Sequence, residues 1–70
     1  MKISEAVKQA TACNGFILRA WWKGHMQVRP GNGPMCCIAY GKGQIPRPRW
    51  QPQAEDLMSE DWEVTTEELI

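Results

Sequence analysis

The chain has 70 residues, with eight basic and eight acidic side chains, three cysteines and four tryptophans. This length excludes more than one domain, and because so small a core rarely supplies more than ~3–5 kcal/mol, further stability must come from outside it. The odd cysteine count disfavours a disulfide framework, and the single histidine disfavours a zinc site, so we expect no metal and no cofactor. Self-association then remains as the source of further stability. We expect the protein to act in a reducing cytoplasm.

The first predicted element is an N-terminal helix. Ser4 is its predicted N-cap, and Glu5 suits the first turn, where a negative charge favours the helix dipole. Apolar side chains recur at helical spacing in one stripe, formed by Ile3, Ala6, Val7 and Ala10. Asn14-Gly15 predicts a left-handed end to the helix. Because half of the stripe is alanine, we expect the helix to lie close on a flat partner, most simply a sheet.

Four segments with strand character follow the helix. Residues 16–22 alternate between two largely apolar faces, and residues 25–29 can pair back with them after a Lys-Gly turn. Residues 35–40 form a continuous apolar run, which predicts a central buried strand. Residues 44–50 return after a Gly-Lys-Gly turn, but their two prolines cannot donate to a ladder. We therefore predict an edge strand or an irregular arm there.

The C-terminal part predicts a short helix and one more strand. Pro52 suits the first turn of a helix, residues 53–58 are good helix formers, and residues 62–65 alternate like a strand. The predicted fold is α+β: a small antiparallel sheet with the N-terminal helix packed on it and a short C-terminal helix before the last strand. We expect one domain over residues 1–70, in which residues 65–70 are a frayed acidic tail.

The zero net charge conceals a strong asymmetry along the chain. Between positions 6 and 54 every charged side chain is basic: Lys8, Arg19, Lys23, Arg29, Lys42, Arg47 and Arg49. From position 55 onward every charged side chain is acidic: Glu55, Asp56, Glu60, Asp61, Glu63, Glu67 and Glu68. Either a basic surface meets an anion and is shielded by the acidic segment, or the two segments neutralise each other within the fold.

Eight side chains have the chemistry needed to hold a flat, anionic ligand. The candidates are Arg19, Trp21, Trp22, Arg47, Arg49, Trp50, Gln53 and Asp56. Tryptophans stack on purine faces, guanidinium groups match phosphates, and the amide and carboxylate can accept from ribose hydroxyls and base edges. Each type also has a simpler interpretation: the tryptophans as core, the arginines as ordinary surface charge, and the last two residues as helix caps.

The sequence does not favour an enzyme. A Cys–His nucleophile needs a third, orienting group, while His25 lies in a predicted turn and Cys36 and Cys37 lie in an apolar run. Neighbouring carboxylates, such as Glu55 and Asp56, point apart on a helix and form no acid–base pair. No glycine-rich phosphate loop is present. We predict a protein without catalytic residues.

Three groups of residues resemble a known family. They are the Ser4-Glu5-Ala6 helix ending at Gly15, the run Arg19-Ala20-Trp21-Trp22, and residues 50–64 with their order of Trp, Pro, Asp, Leu, Asp and Trp. Together they resemble the second type of Thoeris anti-defence protein, a family of small phage proteins, over most of the chain. The family's middle part is longer than residues 24–43 of this chain, so the resemblance leaves the particular ligand open.

The resemblance implies a helix on an antiparallel sheet, assembled as a homotetramer in the host bacterial cytoplasm. It also implies that the protein binds an immune signal, glycocyclic ADP-ribose, without cleaving it, and that cyclic oligonucleotides of the CBASS system are possible ligands. No apolar run has the length of a membrane span, and we expect no membrane partner.

Two alternatives remain at this point: a single-strand nucleic-acid binder and a host-protein binder. Basic residues interleaved with aromatics on a small sheet suit the first, although an acidic segment would repel a polyanion. A tryptophan-rich face suits the second.

Overall fold

The computed structural model describes residues 1–69 and confirms the α+β fold. Two helices, a 3₁₀ turn and four strands follow in the order α1 (Ile3–Cys13), β1 (Phe16–Arg19), the 3₁₀ helix (Ala20–Trp22), β2 (Met26–Arg29), β3 (Ile38–Gly41), α2 (Ala54–Met58) and β4 (Trp62–Thr65). The strands form one antiparallel sheet in the order β3-β2-β1-β4. Neither helix within these residues has the length and apolar character needed to cross a bilayer.

The helix α1 packs on the sheet through its alanines, as its stripe predicts. Ala6 and Ala10 have no exposed surface, so the helix backbone lies directly against the core. The predicted N-cap, Ser4, is wrong: the cap is Lys2, and Ser4 lies in the first turn of the helix. The Lys2 N–H donates to the Glu5 carboxylate at 3.4 Å. The predicted end is confirmed, because Asn14 takes the left-handed conformation with φ 58°.

The strand β1 lies at the centre of the sheet, between β2 and β4. All four of its residues are buried, and Ile17 pairs with both Val28 and Val64. The prediction of a strand as far as residue 22 is wrong, because the chain turns into the 3₁₀ helix after Arg19. The N–H of His25 closes this turn on the carbonyl of Trp22 at 2.7 Å, which lets β2 return alongside β1.

The prediction of a central buried strand at residues 35–40 is also wrong. The strand β3 is at the edge of the sheet, is half-buried, and begins only at Ile38. Its start is delayed because Cys36 has a left-handed backbone, with φ 56°, which interrupts extended structure. The predicted irregular arm is confirmed: residues 44–50 form no strand and pair with β3 only through the Ala39–Arg47 bridge.

The C-terminal segment carries α2 and the other edge strand. Gln53 is the N-cap of α2, so Pro52 lies before the helix and not in its first turn as predicted. The strand β4 pairs with β1 along its full length. Beyond it, the buried side chain of Gln27 donates from Nε2 to the Glu67 carbonyl at 3.0 Å and accepts from the Leu69 N–H at 2.8 Å. The fraying of residues 65–70 stays a prediction, and Ile70 lies outside the described residues.

Candidate ligand-binding groove

An open groove of about 470 Å³ lies between the edge of the sheet and the irregular arm. The start of β2 and the strand β3 form one side of it. The arm and the residue after it form the other. Its lining residues are His25, Met26, Ala39, Gly41, Gln44, Ile45 and residues 47–51. No carboxylate is among them, so the groove is suited to an anion.

Two guanidinium groups in the groove have no carboxylate partner. Arg47 and Arg49 are both exposed, and within residues 1–69 no Asp or Glu lies within 4 Å of either guanidinium. By contrast, Lys23 pairs with Glu63 at 3.3 Å. Neutralisation within the fold is therefore partial: among residues 1–69, acidic side chains pair with Arg19 and Lys23 but not with the two arginines of the groove. That a basic surface meets an anion stays a prediction.

Main-chain hydrogen bonds hold the arm despite its two prolines. Arg47 and Ala39 exchange two bonds of 2.8 and 2.9 Å. The N–H of Arg49 then donates to the Met35 carbonyl at 2.9 Å, and that of Trp50 donates to the Cys37 carbonyl at 2.8 Å. Because these bonds use only the backbone, the two arginine side chains remain available to a ligand.

The arm contains a left-handed residue, Arg49, next to the left-handed Cys36 of the loop before β3. Arg49 has φ 56°, the same value as Cys36, and the two bonds to Met35 and Cys37 lie on either side of Cys36. This conformation costs a non-glycine residue of the order of 1–3 kcal/mol and persists only where the surrounding contacts enforce it. The arm is therefore held in one strained arrangement.

The indole of Trp50 connects the groove to the core. It is half-buried and packs edge-to-face on Trp22 and Trp62, with ring centroids 6.2 and 6.0 Å apart. Trp22 and Trp62 are buried and pack on each other at 5.2 Å. A ring fixed in this way offers a rigid surface for stacking, since little side-chain freedom is lost when a ligand binds.

A separate ionic network contains three of the other candidates. The Arg19 side chain is only 6% exposed, and it donates from Nε to Asp61 at 2.7 Å and from an Nη to Asp56 at 2.9 Å. The second oxygen of Asp56 accepts from the Gln53 N–H at 3.0 Å, and the Trp62 indole N–H donates to the Asp56 carbonyl at 2.8 Å. These donors and acceptors therefore satisfy one another's hydrogen-bonding capacity within the network.

The network also affects protonation. The hydrogen bond from Arg19 lowers the pKa of Asp61 below its usual value, and the same bond is the main reason that the pKa of the Arg19 guanidinium is raised. Both shifts favour the charged forms of the two groups.

The eight candidates thus fall into different environments. Arg47, Arg49 and Trp50 line the groove. Arg19, Gln53 and Asp56 form the network, while Trp22 belongs to the core. Trp21 is 67% exposed, and the Arg19 guanidinium carbon lies 5.8 Å from its ring centroid.

The sequence analysis missed several residues of the ionic network and of the groove. It gave no role to Asp61, which forms the shortest contact to Arg19. It also gave none to His25 or Gln44, which line the groove. The predicted return of residues 44–50 beside the sheet was the one signal that could have placed Gln44 near the arginines.

A second cavity, of about 400 Å³, lies on the other face of the sheet. Glu63, Glu67 and Glu68 line it, and its lysine, Lys23, is already paired with Glu63. An anion would meet net negative charge there, so the groove beside the arm is the better candidate for a phosphate ligand.

Fold and groove together define the class: a small α+β protein with one helix across an antiparallel sheet and a cationic, tryptophan-bearing groove at the sheet edge. Residues 1–65 match the family model of the Thoeris anti-defense 2-like (Tad2-like) domain, and the chain belongs to that family. The match covers every element from α1 to β4 and confirms the resemblance carried by the sequence. No curated protein and no solved structure matches the chain. The family is one of Thoeris anti-defence proteins.

Proposed function

We propose that this anti-defence protein binds a host immune nucleotide signal in the groove and holds it without cleaving it, within the host bacterial cytoplasm. The observation that carries the proposal is the pair of guanidinium groups of Arg47 and Arg49, which have no carboxylate partner among residues 1–69 and lie beside the fixed indole of Trp50. A protein that opposes a defence system has a reason to capture that system's signal.

The groove chemistry suits a nucleotide. Guanidinium groups bind phosphate oxygens through two parallel hydrogen bonds, and stacking on an aromatic ring is worth about 1–3 kcal/mol per base. The lining residues include one imidazole and no carboxylate or thiol, which supports capture over hydrolysis. In this proposal the arginines bind phosphate and Trp50 stacks on a base.

The ligand we propose first is glycocyclic ADP-ribose, with cyclic oligonucleotides of CBASS as the second class. The groove volume lies within the range of about 300–1,000 Å³ that is typical of small-molecule sites. The groove is nevertheless open, and Ile45 at its rim is 85% exposed. We propose that another subunit of a homotetramer covers this rim and closes the site.

Native mass spectrometry of the purified protein tests the proposal directly. We would add glycocyclic ADP-ribose, cyclic di- and trinucleotides and a single-stranded DNA oligonucleotide, each in turn. We expect a tetramer that carries one of the cyclic compounds at fixed stoichiometry and with unchanged mass. A ligand mass altered by hydrolysis would contradict capture without cleavage, and a protein that binds only the oligonucleotide would favour a nucleic-acid binder.

A matched pair of variants connects binding to the groove. Arg47→Ala removes the guanidinium group but keeps the main-chain hydrogen bonds through which Arg47 helps to hold the arm. Lys42→Ala removes an exposed cation that does not line the groove. We expect Arg47→Ala to lower the affinity for the cyclic nucleotide by about tenfold or more, which is the effect of losing a charge-assisted hydrogen bond. Lys42→Ala should change this affinity little. Equal losses would indicate only general electrostatic attraction.

A further inference from the structure

Three non-glycine residues of the described chain have a left-handed backbone: Asn14, Cys36 and Arg49. Asn14 ends α1, where asparagine tolerates this conformation. Cys36 and Arg49 belong instead to the junction between the arm and the loop before β3. Two main-chain hydrogen bonds, from Arg49 to Met35 and from Trp50 to Cys37, hold this junction together. The strain is therefore concentrated beside the groove.

An arginine is a poor choice for a left-handed position. Glycine takes this conformation without steric cost, and asparagine takes it at a lower cost than a long side chain. Within residues 1–69 the Arg49 guanidinium makes no ion pair and no hydrogen bond that would repay the strain. No side-chain contact among the described residues therefore offsets the strain at Arg49.

We propose that Arg49 is the groove residue that fixes the anionic phosphate of the ligand, and that its left-handed backbone is the device that positions it. This inference rests on the proposed function, since it names the residue through which the same groove recognises its ligand. Inorganic pyrophosphate is the simplest probe of such a site.

The path of the arm explains why the conformation matters. In a fully extended segment, side chains alternate, so a residue after Arg49 would lie on the side opposite to it. The left-handed turn at Arg49 breaks this alternation, and Arg49 and Trp50 both line the groove, together with Arg47, Pro48 and Gln51. Two cations and an aromatic ring thus come together, which is the combination that a nucleotide phosphate and base require.

The test uses the same kind of substitution at all three left-handed positions. Asn14→Gly, Cys36→Gly and Arg49→Gly each replace a strained residue with one that adopts positive φ freely. We would measure urea unfolding of each variant and its binding of pyrophosphate by calorimetry, and add Arg49→Lys to separate the charge from the planar fork.

We expect all three glycine variants to unfold at a urea concentration equal to or above that of the unchanged protein. Only Arg49→Gly should lose pyrophosphate affinity, by about tenfold or more, while Arg49→Lys recovers part of it. The comparison of stability with affinity separates a binding role from a structural one, because replacing a structural residue would lower the stability of the variant together with its affinity.

Several results would overturn the inference. They are an Arg49→Gly variant that binds pyrophosphate and glycocyclic ADP-ribose like the unchanged protein, a Cys36→Gly variant with the same loss of affinity, and an unchanged protein that binds neither compound. The proposed function fails separately: a protein that binds pyrophosphate through Arg49 but no cyclic nucleotide supports the inference and contradicts capture of the immune signal.

Discussion

Arg19 and Asp61, which lie 42 residues apart in the chain, form the shortest ion pair of the described structure, with Nε 2.7 Å from the carboxylate. Arg19 ends β1, and Asp61 immediately precedes β4. The Ala20 N–H also donates to the Asp61 carbonyl, at 3.2 Å. The pair therefore fixes the point at which β4 joins the sheet.

The first prediction concerns the acid stability that this pair confers. The folded pKa of Asp61 is lowered, so the pair contributes stability above the ordinary aspartate pKa of about 3.9, and this contribution disappears as the pH falls through the folded value. We expect urea midpoints of the unchanged protein to fall steeply below about pH 4. Asp61→Asn should be less stable at pH 7 and should lose part of this acid dependence.

Glu60→Gln is the matched control, because Glu60 is an exposed neighbour whose carboxylate lies in no ion pair of the described residues. Its pH profile should follow that of the unchanged protein. Identical profiles for both variants and the unchanged protein would show that Asp61 has the same pKa folded and unfolded.

The second prediction compares adjacent tryptophans. Trp22→Ala removes a buried ring that packs on both Trp50 and Trp62, and we expect a loss of about 3–5 kcal/mol in the free energy of unfolding. Trp21→Ala removes a ring that is 67% exposed, and we expect a change within about 0.5 kcal/mol. Urea unfolding followed by far-ultraviolet circular dichroism measures both. Similar losses would contradict the packing described.

The third prediction concerns the contact between the end of α1 and β4. A Cβ at Gly15 would lie 2.7 Å from the Thr65 carbonyl oxygen, and backbone cannot give way as a side chain can. We expect Gly15→Ala to cost about 1–3 kcal/mol, as overpacking does. Gly33→Ala is the control, since a Cβ there meets nothing within 4 Å. Thermal unfolding of the two variants should differ clearly, and equal melting temperatures would exclude the close approach.

The fourth prediction concerns the segment after β4. Gln27 is 2% exposed and bonds the backbone of Glu67 and Leu69. Gln27→Leu should cost about 1–2 kcal/mol and speed amide hydrogen exchange at Leu69, because both bonds disappear. Gln9→Leu, at an exposed position on α1, should leave that exchange unchanged. Rapid exchange at Leu69 in the unchanged protein would support the fraying predicted from the sequence.

The sequence predicts the architecture because the relevant signals are periodic and local. The alanine stripe identifies the buried face of α1, Asn14 identifies its end, and the prolines of residues 44–50 identify the irregular arm. None of these requires knowledge of distant residues. They determine which segments pack together, and hence the general position of the groove.

The details of the site depend on contacts between distant residues. Trp21 and Trp22 are the same residue type in adjacent positions, and only the 3₁₀ turn decides which is buried. Arg19 is neutralised because the pairing of β4 with β1 brings Asp61 to it, whereas no carboxylate of residues 1–69 lies within 4 Å of the Arg49 guanidinium. The left-handed conformation of Arg49 is equally invisible in the sequence, where arginine gives no signal for positive φ.

The contact of Trp50 with two buried tryptophans has an optical consequence. Indoles whose centroids lie 5.2 to 6.2 Å apart are close enough for their excited states to couple. Such coupling produces paired bands of opposite sign in the circular dichroism spectrum, and their size depends on ring orientation. A ligand that stacks on Trp50 and tilts its ring would change these bands, so occupancy of the groove could be followed in unlabelled protein.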